Sequence, residues 1–380
     1  MKSLPLPQGW QEFKLKDIGL FIRGSGISKK DLSDTGIPAI RYGDIYTKYN
    51  FVIKNISSYT NSKGTELKKG DILFAGSGET AEEIGKSVAF VDNYMAFAGG
   101  DIIIFRPKIN LNSIFLAYIL NFGKCRKDIS IMGQGHTVVH IYASSLEKLT
   151  IILPPLDEQK RIAEVLSLCD DVIENLTKLI EQKELYKKGV MQRVLSGEVR
   201  FKGFKDEWKI KKLSEISKSI KTGKLDANAM EENGQYRFYT CAREYYRINE
   251  YAFDGEALLI SGNGAYVGYV HYYKGKFNAY QRTYVLMDFE EDIKYIKYYL
   301  DRYLKDRIKK EKNEGNTPYI VLSTLTDMEI KVPSLEEQKK IAGLLSVIDE
   351  DIDNLKKQLE LRKQQKKGLM QRLLTGEVRI

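Results

Sequence analysis

Arginine, glutamine and tyrosine crowd one stretch of this 380-residue chain: Tyr236-Arg237-Phe238-Tyr239-Thr240, then Arg243, Tyr245-Tyr246-Arg247, and later Tyr280-Gln281-Arg282-Thr283. Their chemistry is hydrogen bonding to flat, polar and negatively charged partners rather than bond breaking. An arginine fork matches the major-groove edge of guanine, glutamine and asparagine match adenine, and tyrosine, serine and threonine hydroxyls hold phosphates. The candidate contacts here are Arg237, Tyr239, Thr240, Arg243, Arg247, Asn263, Tyr266, Gln281 and Arg282. An earlier block offers a second set: Arg41, Tyr42, Lys48, Ser77, Thr80, Lys86, Gln134 and His136. Taken singly, each reads equally well as an ordinary strand residue with solvated neighbours. Only their joint presence in two blocks carries weight.

Catalytic apparatus is not visible. Phe74-Ala75-Gly76-Ser77-Gly78 imitates the F-x-G-x-G loop that holds S-adenosylmethionine in adenine methyltransferases, where glycines let the backbone approach a ligand. The corresponding run later in the chain reads Ile260-Ser261-Gly262-Asn263-Gly264, and no D-P-P-Y or N-P-P-Y tetrapeptide exists to hold a target adenine. The glycines are expected to form a tight turn after a strand. A Walker loop, a G-x-S-x-G elbow and an H-E-x-x-H pair are all missing from the sequence. Cys125, Cys169 and Cys241 have no C-x-x-C spacing, and His136, His140 and His271 sit near no matching cysteine pair. Neither a disulfide framework nor a structural zinc site is expected.

The elements that must position these residues announce themselves by repetition. Residues 156–200 recur as 335–379 at an offset of 179 without gaps, with about 25 of 45 positions identical. Trp10, Leu15, Asp17 and Ile18 recur as Trp208, Leu213, Glu215 and Ile216 at the same internal spacing. Between these anchors the two blocks differ, so one framework carries two different contents. Short β-like runs at 71–75, 87–91, 102–105, 257–260, 266–273 and 283–287 alternate with helical stretches at 113–122 and 292–310, predicting an α+β fold for each block.

The repeated segment is a helix with a heptad seam. Ile162, Leu166, Cys169, Ile173, Leu176 and Ile180 step by four and three, as do Ile341, Leu345, Ile348, Ile352, Leu355 and Leu359. The seam runs on through Lys183 and Lys187 in one copy, and through Arg362 and Lys366 in the other. Pro154 and Pro333 precede the starts, Ser334 with Glu337 reads as a capping box, and Gly197 and Gly376 read as stops. Each helix is acidic early and basic late, so an antiparallel pair within one chain sets acid beside base at both ends. Two independent amphipathic helices docked on their own domains are the alternative. The expected divisions are 1–153 and 199–332 for the globular blocks, and 154–198 and 333–380 for the helices.

A net charge of +9 and a pI near 9.0 invite a polyanionic partner, although the excess is spread along the chain rather than gathered in a tail. The start, MKSLPLPQGW, has no apolar run of signal-peptide length, and nowhere do some twenty apolar residues follow one another. No membrane association and a cytoplasmic location are the expectation.

Pro154-Pro-Leu-Asp-Glu-Gln159-Lys-Arg-Ile162 and Met191-Gln-Arg-Val-Leu-Ser-Gly197-Glu, with second copies at Pro333 and Met370, resemble the repeated regions of type I restriction-modification specificity subunits. The lead-ins at Trp10 and Trp208 match as well. So do the block ends Gly135-His-Thr-Val-Val-His-Ile141 and Gly315-Asn-Thr317-Pro-Tyr-Ile320, and the resemblance covers essentially the whole chain. It implies two target recognition domains held apart by an antiparallel intramolecular coiled coil, in a pseudo-twofold tandem arrangement. Each domain would read half of a split site in double-stranded DNA. The implied partners are two adenine methyltransferase subunits and restriction/translocase subunits. S-adenosylmethionine, ATP and magnesium would belong to those partners, leaving this chain without a cofactor of its own. The resemblance also implies circular order, with the N-terminal lead-in completing the second half. Two other readings stay open on the residues alone: a self-contained methyltransferase or nuclease, and a coiled-coil adaptor without base recognition.

Overall fold

The computed structural model describes residues 6–135, 137–311 and 318–380. They divide into two compact units, one formed by residues up to Leu176 with Leu359–Ile380, the other by Thr177–Gln358. Each mixes strands with helices in an α+β architecture. Four helices position the candidate residues: α1 (Ser113–Leu120), α2 (Leu156–Ser196), α3 (Ile293–Glu311) and α4 (Leu335–Leu374).

In the first unit, β1 (Gly19–Arg23), β2 (Ile72–Ala75), β3 (Ser87–Ala89) and β4 (Ile102–Pro107) form an antiparallel sheet in the order β1-β4-β2-β3. Successive side chains of a strand face opposite ways, and here both faces are covered. Ile72, Phe74, Ile103 and Phe105 pack with α1, whereas Leu73, Ala75, Ile102 and Ile104 pack with Ile40, Ile45 and Ile53. Double coverage explains why these strands read as unbroken apolar runs. The lead-in strand Gln11–Lys14 pairs with Thr150–Leu153.

The second unit is built on a six-stranded sheet. Its strands are β5 (Ser217–Thr222), β6 (Tyr236–Tyr239), β7 (Tyr246–Ile248), β8 (Phe253–Ser261), β9 (Val270–Ala279) and β10 (Thr283–Phe289), in the order β5-β10-β8-β9-β6-β7. Only the β6–β9 pairing is parallel among them. Leu258, Ile260, Val270 and Leu286 share one core with the α3 residues Ile296 and Leu300, while Ala257, Leu259, Phe277, Ala279 and Val285 cluster with Tyr239. Lys209–Lys212 pairs with Glu329–Val332, as in the first unit. The strand expected over 266–273 begins instead at Val270. Gly264 and Gly268 take positive φ values of 78° and 76°, and the turn they make overrides the strand preference of Tyr266 and Tyr269.

The repeated helices run antiparallel in both units. In the first, Asp170 of α2 pairs with Lys366 of α4, and Glu158 with Arg379 just past α4. In the second, Lys183 pairs with Asp351, Glu184 with Lys356, and Lys187 with Asp349. From Glu158 to Asp170 the partner number falls from 379 to 366, and from Lys183 to Lys187 it falls from 351 to 349, with acid set against base as the charge order requires. Ile162, Leu166, Ile180, Ile341, Leu345, Ile348 and Ile352 are buried, and Cys169, Ile173, Leu176, Leu355 and Leu359 are half-buried. Gly197 and Gly376, with φ of 82° and 72°, stop the helices in the left-handed region. The reciprocal capping box expected at Ser334 is replaced by a different arrangement. Ser334 Oγ accepts the Glu337 amide at 3.4 Å, but the Glu337 carboxylate turns to Arg200 and Trp208, because a buried acid gains more from a guanidinium.

Candidate nucleic-acid interface

The frame that carries the candidate residues is built twice from the same polar joints. Tyr118 of α1 donates to Asp170 at 2.5 Å, and Lys366 donates to the other oxygen of that carboxylate at 2.5 Å. In the second unit Tyr298 of α3 donates to Asp349 at 2.8 Å, and Lys187 pairs with the same carboxylate. Burial pushes both phenols well above the usual tyrosine range. Gln159 and Gln338 make matching clamps. Each amide donates to a proline carbonyl, Pro154 or Pro333, at 2.9 Å and accepts the backbone amide of Asn112 or Asp292 at 2.9 Å. Asn112 and Asp292 in turn accept the amides of Phe115 and Tyr295 in the first turns of α1 and α3.

A third joint pairs Glu337 with Arg200 at 2.7 and 3.0 Å, and Glu158 with Arg379 at 2.5 and 2.7 Å. The same arginines donate to the carbonyls of Asp206 and Gln8, which fixes each tryptophan lead-in at the end of a long helix. The lead-in carrying Trp10 therefore docks where α4 ends, as the lead-in carrying Trp208 docks where α2 ends. The N-terminal lead-in and the end of α4 thus meet within the first unit, in the circular order that the resemblance implies.

The glycine runs also prove to be joints. Gly76 donates to the Asp101 carbonyl at 2.7 Å and Gly262 to that of Arg282 at 2.9 Å, while their own carbonyls accept the amides of Ile141 and Ile320. A Cβ at either position would stand 2.8 or 2.2 Å from those carbonyl oxygens, so glycine is needed for backbone to meet backbone. Ser77, one residue on, is buried, with its hydroxyl 2.9 Å from His140 Nδ1.

The second unit gathers its arginines beside aromatic rings. The Arg237 guanidinium lies 4.2 Å from the ring centroid of Tyr245 and 4.5 Å from that of Tyr273, and it donates to the Tyr239 hydroxyl at 3.2 Å. Arg247 stands directly opposite Arg237 across the β6–β7 pair and also lies over Tyr245, at 5.6 Å. Arg243 lies over Tyr266 at 5.2 Å. Arg243, Arg247, Tyr266, Gln281 and Arg282 are exposed, Arg237 and Asn263 half-buried, and Tyr239 and Thr240 buried. Gln281 reaches back to Asp226 at 3.5 Å. Tyr273 was not among the sequence candidates, since nothing local separates it from the other strand tyrosines; only the parallel pairing of β6 with β9 brings it to Arg237.

In the first unit the candidates are less uniform. Lys48 donates to Ser57 and Ser58 and pairs with Asp44, and the Arg41 amide donates to Asp44 at 2.9 Å. Lys86 donates to the carbonyls of Tyr49 and Tyr46, and burial holds its ammonium below the usual lysine value. Tyr42, Thr80 and Gln134 are exposed, the last held through its backbone to His140. His136 lies outside the described residues, as does the stretch 315–317 of the second block end. Among the described residues no cluster of His, Cys, Asp and Glu could hold a metal ion. Among them, too, no helix is long and apolar enough to cross a membrane.

Known proteins resemble this chain in sequence and in fold. The chain resembles the specificity subunit of the type I restriction enzyme EcoDI of Escherichia coli, 42% identical over 172 residues that span 44% of this chain and 37% of that protein. The putative MjaX specificity subunit of Methanocaldococcus jannaschii is 28% identical over 408 residues, covering 99% of this chain and 95% of the relative. A crystal structure of the S subunit of a type I restriction-modification system from M. genitalium superposes with a TM-score of 0.68 at 21% identity, over 97% of this chain and 98% of that one, a likeness of fold. The family model for the type I restriction modification DNA specificity domain matches residues 7–184 and again 205–363. A duplicated frame and a domain model matched twice lead to one conclusion: the chain belongs to the type I restriction-modification DNA specificity family.

Proposed function

We propose that this chain is the non-catalytic recognition subunit of a type I restriction-modification complex, in which each unit reads one half of a bipartite site in duplex DNA. The observation that carries the reading is the frame itself. Its joints are built twice from matching residues, Asp170 with Asp349, Lys366 with Lys187, and Glu158 with Glu337, while the blocks they hold present different side chains. One frame with two contents suits two unlike half-sites. The arginine and tyrosine groups of the second unit support contact with phosphates and base edges.

The long helices offer matching surfaces to two like partners. Leu168 and Val347, equivalent in the repeat, are 65% and 64% exposed. Gly189 and Gly368, also equivalent, have nothing within 4 Å of where a Cβ would stand. An interior helical glycine costs roughly 0.5–1 kcal/mol, and the fold supplies no compensation at either site. Two methyltransferase subunits approaching closely would. In this reading S-adenosylmethionine stays with the methyltransferase subunits, ATP and magnesium stay with a restriction/translocase subunit, and the helices set the gap between half-sites.

The test is a block exchange. Replacing residues 20–150 with the block of a relative, and assaying N6-adenine methylation with methyltransferase subunits present, should change one half-site and leave the other. A change in both halves, or methyl transfer by this chain alone, counts against the reading.

A further inference from the structure

The arginines of the second unit are not equivalent, and their differences rank them. Arg243, Arg247 and Arg282 are exposed, whereas Arg237 is half-buried and tied down on several sides. Two rings lie within 4.5 Å of its guanidinium, and Tyr239, itself buried with Phe277 and Ala279, takes one of its hydrogens. Tyr245 is only partly covered, so this assembly lies at the protein surface. It also sits on the face of the sheet turned away from α3, where Tyr239 and Tyr273 accompany the smaller core.

Two further observations point to an anionic, planar ligand. Arg237 and Arg247 are directly cross-strand neighbours, an arrangement that costs stability when the charges are alike. Among the described residues neither is in an ion pair with a carboxylate, and both lie over the Tyr245 ring. Two like charges side by side without a carboxylate partner favour a polyanion. Within that setting a restrained fork differs from a mobile one. Phosphate tolerates a swinging cation, but a base edge demands two donors at fixed spacing, and a guanidinium already immobilised loses little freedom on meeting it.

We infer that Arg237 reads a guanine in the half-site of the second unit, with its Tyr245–Tyr273–Tyr239 setting acting to fix the fork, and that Arg247 beside it contacts phosphate. The assignment rests on the DNA-recognition reading above. It adds to that reading one base that the half-site must contain and the side chain that selects it.

The experiment selects a randomised duplex library on the full chain assembled with type I adenine methyltransferase subunits, at several salt concentrations. R237A should relax selection at a single G·C pair by about 5- to 150-fold and leave the other half-site untouched. R237K keeps the charge and the fold but not the fork, and should relax the same position nearly as far. R247A should weaken all sequences alike and flatten the salt dependence by about one contact. Y245F, which keeps the ring, should retain selection.

The assignment is overturned if R237K keeps full discrimination, or if R237A weakens all sequences equally with a shallower salt slope. The first result would show that the fork is not what selects the base, and the second would make Arg237 a phosphate contact. It is overturned also if the selected half-site has no guanine. A wild-type assembly that selects no sequence at all would instead remove the recognition reading on which the assignment stands.

Discussion

The Tyr–Asp–Lys joint occurs twice in this molecule, at two depths of burial. Lys366 is 9% exposed and its partner Asp170 19%, whereas Lys187 is 22% exposed and its partner Asp349 35%. Removing one member of a fully buried pair costs about 3–5 kcal/mol, because the remaining charge is left without compensation. Removing one member of an exposed pair costs about 0–1 kcal/mol. Lys366 lies near the buried limit, but Asp170 keeps the Tyr118 hydroxyl and some water, so K366M should cost about 2–3 kcal/mol. Lys187 lies nearer the exposed limit, so K187M should cost about 1 kcal/mol. At about 2–4 °C per kcal/mol for units of this size, K366M lowers the melting temperature of the first unit by roughly 5–10 °C, and K187M that of the second by roughly 2–4 °C.

Calorimetry supplies the transitions, and hydrogen exchange assigns each to its unit. Adding D170N to K366M removes the stranded charge and should recover much of the loss. If K187M costs as much as K366M, or if D170N brings no recovery, burial does not govern these joints and the reasoning fails.

Three other outcomes are expected of the same molecule. G189A and G368A should each stabilise the free chain by roughly 0.5–1 kcal/mol, since each Cβ enters open space, yet weaken capture of methyltransferase subunits; unchanged capture would separate these glycines from docking. Burial holds His271 below its ordinary value of 6.5, with Nε2–H donating to the Ala242 carbonyl at 2.9 Å. The neutral ring is the folded form, so its stabilisation is complete above 6.5 and is lost as pH falls through the lower folded value. Urea midpoints measured from pH 7 to 5 should fall less in H271N than in the wild type, and equal slopes would refute this. Inserting one heptad into both α2 and α4 keeps the seam and adds about 10 Å of helix, roughly three base pairs of duplex. The preferred gap between half-sites should lengthen, and methylation confined to the original gap would show that helix length does not set it.

Much of the frame was legible in the residues alone. A heptad seam, a glycine stop and an acid-to-base gradient are local patterns, and a helix long enough to hold them leaves few alternatives. Hence the two long helices and their antiparallel pairing can be read from 156–200 and 335–379 without any knowledge of their neighbours. Circular order came from the family resemblance, and Arg379 joins the lead-in to the far end of the chain through Gln8 and Glu158.

The interface was legible only in part. Composition singled out Arg237 and Arg247, but their rank depends on which strands neighbour one another, and no local pattern announces that β6 pairs with β7 on one side and, in parallel, with β9 on the other. Strand pairing is set by long-range packing, so the meeting of Arg237 with Tyr273 was decided by the tertiary structure. Ser77 and Lys86 show the same limit from the other side. Their side chains suit phosphate as well as any, yet folding commits the first to His140 and the second to the carbonyls of Tyr46 and Tyr49. A residue's type states which bonds it can make; its neighbours in space decide which of those bonds remain to be made with a partner.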